Sequence, residues 1–138
     1  AAAAARANKI SPEVLGHDSI YLPAKAPFQS RKYYELFKAT VKTMPSDGPM
    51  GQVKPQALFK AQLLKDAVMA FSLEAFLDRH ILFCCGHFHS DYHLGIPYQL
   101  KKTHPDLKIA VIAMASVVDD VPMEMLSRLA DFFWIPDQ

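Results

Sequence analysis

One apolar stripe constrains this chain more than any other feature. Between Pro55 and Arg79, Ala57, Ala61, Leu64, Val68, Phe71 and Ala75 recur at intervals of four, three, four, three and four. That spacing places all six on one side of an α-helix. Pro55 suits the first turn, where its missing N–H has no intrahelical partner to lose. Such a helix is about 37 Å long at 1.5 Å per residue, enough to cover the face of a sheet. Gln62 and Asp66 lie one turn apart, close to the stripe. Polar residues in such places are either hydrogen-bonded inside a core or form the wall of a pocket.

Downstream the pattern alternates. Ile81–Cys85 is continuously apolar, as in a strand buried on both faces. Pro97–Thr103 predicts a short helix, Lys108–Met114 a second buried strand, and Pro122–Ala130 a helix with Met123, Leu126 and Ala130 inward. Asp131–Ile135 reads as a last strand. Alternation of this kind predicts an α/β fold with a mainly parallel sheet and right-handed crossovers. The expected architecture is a partial three-layer domain over 30–138, with the long helix packed on the sheet. A helix reaching Arg79 or His80 leaves no room before Ile81 for the usual connection of about 2–6 residues. Either the helix stops earlier or residues are missing at that junction. Residues 1–29 read as an irregular lead-in. Prolines punctuate the stretch from 8 to 55, and one helix fits between them, Ser30–Thr43, capped by Ser30 and carrying Tyr34, Phe37 and Val41. Pro45–Pro49 is turn chemistry.

Composition narrows the function classes. Lys plus Arg is 15 against 14 for Asp plus Glu, a net charge of +1, which supplies no concentrated basic surface for nucleic acid. No apolar run reaches the roughly 18 residues of a membrane-spanning helix. Cys84 and Cys85 are adjacent, so on a strand they face opposite ways and cannot bridge each other. Both are expected to be small buried apolar residues. Ala1–Ala5 with Ala7 lack the basic, apolar and cleavage segments of a signal peptide. They read as stand-ins for unidentified residues, with the start of the chain missing.

Four of the six histidines, His80, His87, His89 and His93, fall within one short stretch. It comes after a predicted strand, and in parallel sheets ligands gather beyond the carboxyl ends of strands. Gly86 allows a sharp turn or a close approach to a ligand. Three chemistries compete. A divalent metal could be bound by His87, His89 and His93 with Asp91. Haem could take Tyr92 or a histidine as axial ligand, with Phe88 packed on the macrocycle and Lys101, Lys102 or Arg79 paired with propionates. Alternatively, these are loop imidazoles bonded to backbone carbonyls. Ser90 lacks the glycine pattern of a nucleophile elbow. Asp119-Asp120 reads as a solvated turn, the methionines as core filler, and Phe132, Phe133 and Trp134 as the edge of the core.

These motifs resemble a known family. Gly86-His87-Phe88-His89, Asp91-Tyr92 and Gly95-Ile96-Pro97 are similar to the Gly-x-x-His…Asp-Tyr-Gly-Val-Pro stretch of ChaN-like haem-binding proteins, part of a Tiki/erythromycin-esterase-like superfamily. The run Ala61–Ala70 resembles that family's Ala-Gln-x-x-x-Asp-x-x-Met-Ala helix, and Ala130–Trp134 its closing Ala-Asp-Tyr strand. The matches span Tyr33 to Pro136 in order. The resemblance implies an α/β fold and haem binding linked to iron acquisition, with a tyrosine on the iron and haem held between two protomers. Tyr92 is the counterpart if that ligand lies in the Asp-Tyr motif. Metalloprotease-like relatives point instead to His89 as a metal ligand. Two departures stand out. Gly16-His17-Asp18 only faintly echoes the family's Gly-Glu-x-His stretch, so the later half of the domain is expected. His93 and Leu94 separate Tyr92 from Gly95, where the family pattern has no residue.

The resulting expectation is a haem-binding domain without demonstrated catalysis. Its cofactor residues are Gly86, His87, Phe88, His89, Tyr92 and His93, with haem iron or a divalent metal on His89 and Tyr92. The alternatives are a non-catalytic accessory subunit of a large complex and a metal-dependent hydrolase. Other subunits or a second protomer are the expected partners. The compartment stays open between a plastid and a bacterial envelope.

Overall fold

The computed structural model describes residues 23, 27–43, 53–114 and 123–135. In chain order the elements are α1 (Arg31–Lys42), α2 (Pro55–Glu74), two 3₁₀ turns (His87–His89 and Asp91–His93), α3 (Ile96–Thr103), β1 (Ile112–Met114), α4 (Met123–Leu129) and β2 (Phe132–Trp134). The Pro45–Pro49 turn, Asp119-Asp120, the Gly16-His17-Asp18 echo, the alanine run and the side chains of Met123 and Met125 lie outside the described residues.

The first helix starts where its cap requires. Ser30 sits in extended backbone and its Oγ accepts a hydrogen bond from the Tyr33 amide, 3.3 Å away. Tyr33 is the buried residue of this helix, and Tyr34, Leu36 and Phe37 flank the core it enters.

The long helix is shorter than its stripe. It spans 20 residues and ends at Glu74, so residues 75–80 supply the connection to Ile81. Ala61 and Leu64 of the stripe are buried, but Phe71 and Ala75, near or past its end, are exposed. In the middle, burial runs almost all the way round: Ala61–Leu64, Asp66 and Ala67 are buried, with Lys65 exposed. The reason is that α2 is a hub between helices. On one side Phe59 and Leu63 meet Tyr33 and Leu94; on the other Ala70 meets Ile96 and Leu100. The expected packing of this helix on a sheet is not what these clusters show.

The largest departure is Ile81–Cys85. The segment is not a buried strand; it makes no ladder and is exposed throughout, with Leu82 87% accessible. Cys84 and Cys85 are free and exposed rather than buried. A strand is defined by its neighbours, and no described segment pairs with this one. Lys108–Met114 is likewise strand only from Ile112, and it alternates rather than being buried on both faces. It pairs in parallel with β2, Ile112 opposite Phe132 and Met114 opposite Trp134. Those four side chains form an exposed apolar face, while Ala113 is buried with Val111 and Ala130. Helix and strand do alternate through β1, α4 and β2, in line with an α/β reading.

Two devices lock α3 in place. Gly95 holds φ +64° and ψ −123°, a region open essentially to glycine alone. A Cβ there would collide with the backbone carbonyl of His89. Gln99, buried on α3, clasps an extended segment: its Oε1 accepts from the Phe28 amide at 2.9 Å and its Nε2 donates to the Phe28 carbonyl at 2.7 Å.

Gly95→Ala should lower the unfolding free energy by at least about 2 kcal/mol, read in a denaturant titration, because strain and collision add; a neutral substitution would contradict this geometry. A thiol reagent should label both cysteines in the native protein. Cys85 should react more slowly than Cys84, since partial desolvation pushes the Cys85 thiol above its ordinary range. Native-state protection of both thiols would contradict the exposed placement.

Candidate functional site

The turn after Cys85 folds back onto the two helices. His87–His89 forms one 3₁₀ turn and Asp91–His93 a second, with Ser90 between them. Tyr92 and His93 both take left-handed backbone, φ +58° and +56°, succeeded by Gly95 at +64°. Consecutive non-glycine residues in that region are uncommon and strained. The strain falls at Tyr92 and His93, where the chain carries two residues more than the family pattern before Gly95. Leu94 is buried against Tyr33, Phe59 and Leu63. The turn therefore trades backbone strain for an apolar anchor.

At the centre lies Asp66, with a solvent-accessible fraction of 0%. Its Oδ1 is 2.5 Å from His89 Nδ1, and its Oδ2 accepts the Tyr33 hydroxyl proton at 2.8 Å. Gln62 Nε2 donates to the Tyr33 oxygen at 3.0 Å and lies 3.0 Å from His89 Nδ1. The Tyr33 hydroxyl also approaches the Phe88 carbonyl, at 3.1 Å. Burial raises the Asp66 carboxyl above its ordinary range, opposed by the hydrogen bonds from His89 and Tyr33. Burial and the Asp66 charge raise the Tyr33 phenol far above its usual value. The Tyr33 hydroxyl is buried and committed to Asp66 as a hydrogen-bond donor.

The three clustered imidazoles do not converge. His89 turns inward to Asp66, with 19% of its side chain exposed. His87, 78% exposed, pairs with Asp91 at 2.8 Å. His93 reaches Asp131 at 3.2 Å, and Asp131 in turn accepts from the Val111 amide at 2.7 Å at the start of the sheet. Each imidazole has its own carboxylate. Among the described residues no three His, Cys, Asp or Glu side chains are placed to hold a metal ion. The divalent cluster of His87, His89, His93 and Asp91 is thus corrected: its members face different ways. The third possibility, bonding to backbone carbonyls, is also not what these rings do.

The other expected site residues separate as well. Phe88 packs into the aromatic core, its ring 5.7 Å from Phe37 and 6.4 Å from Tyr33. Tyr92 is half-buried at the edge of the same core. Gly86 leaves the ring edge of His89 uncovered; a Cβ there would sit 3.8 Å from His89 Cδ2. The cations expected to meet propionates are engaged elsewhere. Lys101 bonds the Pro105 and Leu107 carbonyls, Lys102 lies over Tyr98, and Arg79 pairs with Asp78. Lys32 instead stands 5.3 Å above the Tyr92 ring. Sequence reasoning missed Lys32 and Tyr33. Both lie in α1, where a lysine reads as solvated and a tyrosine as core. Asp91 Oδ1 is buried without a hydrogen-bond partner among the described residues, and burial raises its carboxyl.

No curated protein and no solved structure matches the chain. A family profile does, over residues 5–100, described as haem-binding uptake, Tiki superfamily, ChaN. It falls on the first part of the chain rather than the later half, starting well before Tyr33 and stopping ahead of Ala130–Trp134. Short motifs weigh only residues with distinctive chemistry, whereas a profile also sums many weak positions, which is how residues 5–32 enter the match. It contains both the Ala61–Ala70 helix and the Gly86–Pro97 turn. The chain belongs to the ChaN haem-binding uptake family of the Tiki superfamily.

Proposed function

We propose that this chain binds haem on the surface formed by His89, Gly86 and Tyr92. The observation that carries the proposal is the imidazole of His89. It is pinned through Nδ1, and its Nε2 has no hydrogen-bond partner among the described residues. An oriented imidazole with one free nitrogen suits haem iron, and a half-buried phenol at Tyr92 offers a second donor of the kind the family uses. When bound, haem would supply the iron, its redox chemistry and a large flat apolar surface. The residues around it would hold and orient it. Lys32, beside Tyr92, suits a propionate, and exposed Leu82 and Phe83 suit the macrocycle.

The site is open. The cavity bounded by Phe28, Ala67, Phe71 and Gln99 holds about 40 Å³, enough for water alone, and lies away from the histidine turn. Buried ligand sites of this size class need roughly 300–1,000 Å³. Haem on this surface would need a cover from outside the described residues, and a second protomer is the proposed one. Titration of the chain with hemin should give a shifted Soret band that saturates. His89→Ala with Tyr92→Phe should abolish the shift. A shift unaffected by the double substitution, or none in the wild type, removes the proposal.

A second reading rests on a different surface. Ile112, Met114, Phe132 and Trp134 present one exposed apolar face, and Ile81–Phe83 are exposed as well. Contiguous apolar surface of this kind is characteristic of chains that are covered by a partner. On that reading the domain serves as an accessory subunit. Light scattering should then find the isolated chain self-associated or aggregating. A monodisperse, fully stable monomer would count against it.

A further inference from the structure

We propose that His93 is a positioning residue: through Asp131 it holds the strained turn that sets where Tyr92 presents its phenol. The inference rests on the haem reading above and adds the group that orients its tyrosine donor.

Backbone strain marks the place. Tyr92 holds φ +58° and ψ +21°, and His93 holds φ +56°. Residues with side chains rarely enter this left-handed region, and two in succession persist only where the surroundings over-determine them. Here they do. The His93 amide donates to the Ser90 carbonyl at 3.1 Å, and the Leu94 amide to the Asp91 carbonyl at 3.0 Å, so both hydrogen bonds span Tyr92. Leu94 is buried against Tyr33, Phe59 and Leu63. Gly95 lies so close to the His89 carbonyl that no side chain fits there.

Those contacts tie the turn to itself and to α1 and α2. His93 ties it to the sheet. Its Nε2 lies 3.2 Å from Asp131 Oδ2. Asp131 is a fixed post: the same oxygen accepts from the Val111 amide at 2.7 Å, and the Asp131 amide donates to the Val111 carbonyl at 3.0 Å. Helix α4 packs against the same 3₁₀ turn. A surface pair between two mobile side chains contributes little, but one with an acceptor already held in place has less freedom to lose. The sign of φ decides how the Cα–Cβ bond points relative to the flanking chain. Returned to negative φ, Tyr92 would leave its present place, 5.3 Å from Lys32 Nζ and against the core of Tyr33, Phe59 and Leu63. His93 therefore acts on the phenol through the backbone, without touching haem.

The competing arrangement is explicit. Leu94 and Gly95 alone would hold the turn, and His93, with 42% of its side chain exposed, would be a solvated surface imidazole.

Two measurements on His93→Ala decide between them. In the ligand-free chain, a strong Overhauser effect between the amide and α protons of Tyr92 reports its positive φ. It should be present in the wild type and weakened in His93→Ala, with little change in melting temperature. In a hemin titration, His93→Ala should bind about tenfold more weakly. The phenolate-to-iron bands in resonance Raman, which Tyr92→Phe removes, should weaken with it. His93→Gln, whose side-chain amide can still donate to Asp131, should restore both readouts. Asp131→Asn, which keeps an acceptor for the Val111 amide, should act in the same direction by less and carries the test if His93→Ala does not fold. An unchanged Tyr92 backbone in His93→Ala, or a lost left-handed backbone with hemin binding intact, overturns the proposal while leaving haem binding standing. So does a wild-type Soret shift without phenolate bands. No Soret shift in the wild type overturns both.

Discussion

Burying a carboxylate away from all solvent is the constraint on which the rest of this structure depends. A buried charge costs several kcal/mol unless hydrogen bonds meet it. Asp66 is met by one group from α1, Tyr33, and one from the turn after Cys85, His89. Satisfying it therefore brings residues 33, 66 and 89 to one point and fixes α1 and the histidine turn on α2. The apolar contacts fall into line with that demand. Tyr33 enters the core as an apolar ring, edge-on to Phe59 at 5.2 Å, and delivers its hydroxyl to Asp66. Removing either partner would leave the carboxylate buried and under-satisfied, a costly class of defect.

The same demand makes the three neighbouring histidines unequal. His87 and His93 meet carboxylates near the surface, where such pairs contribute little and help shape the turn. His89 alone is held inside the network. A cluster that looks uniform in sequence resolves into two turn-shaping imidazoles and one oriented imidazole. Chelation by several histidines gives way to one imidazole held on a buried carboxylate.

What was legible in the sequence was periodic or local. The Ser30 cap, the Pro55 start and the extent of α3 depend on residues within a turn of each other, and they are found where expected. Gln62 and Asp66 were visible as polar residues beside an apolar stripe. Their partners were not, because a hydrogen bond between residues 33 and 66 leaves no trace in local pattern. Ile81–Cys85 was misread because a buried strand and an exposed apolar segment share one composition; only neighbouring strands distinguish them. The histidine partners were equally hidden, since Asp66 and Asp131 reach the turn from distant parts of the chain. The strain at Tyr92 and His93 was hinted at only by the two residues inserted before Gly95.

The most direct test of this network is the protonation state of Asp66 itself. An infrared difference spectrum between the wild type and Asp66→Asn at neutral pH isolates that one carboxyl. Loss of an ionised carboxylate band is the predicted result, because both Asp66 oxygens lie within hydrogen-bond distance of a side chain able to donate, Tyr33 on one and His89 on the other. Loss of a protonated carboxyl band instead would mean that Asp66 donates a proton of its own and that the network is not built around a buried charge.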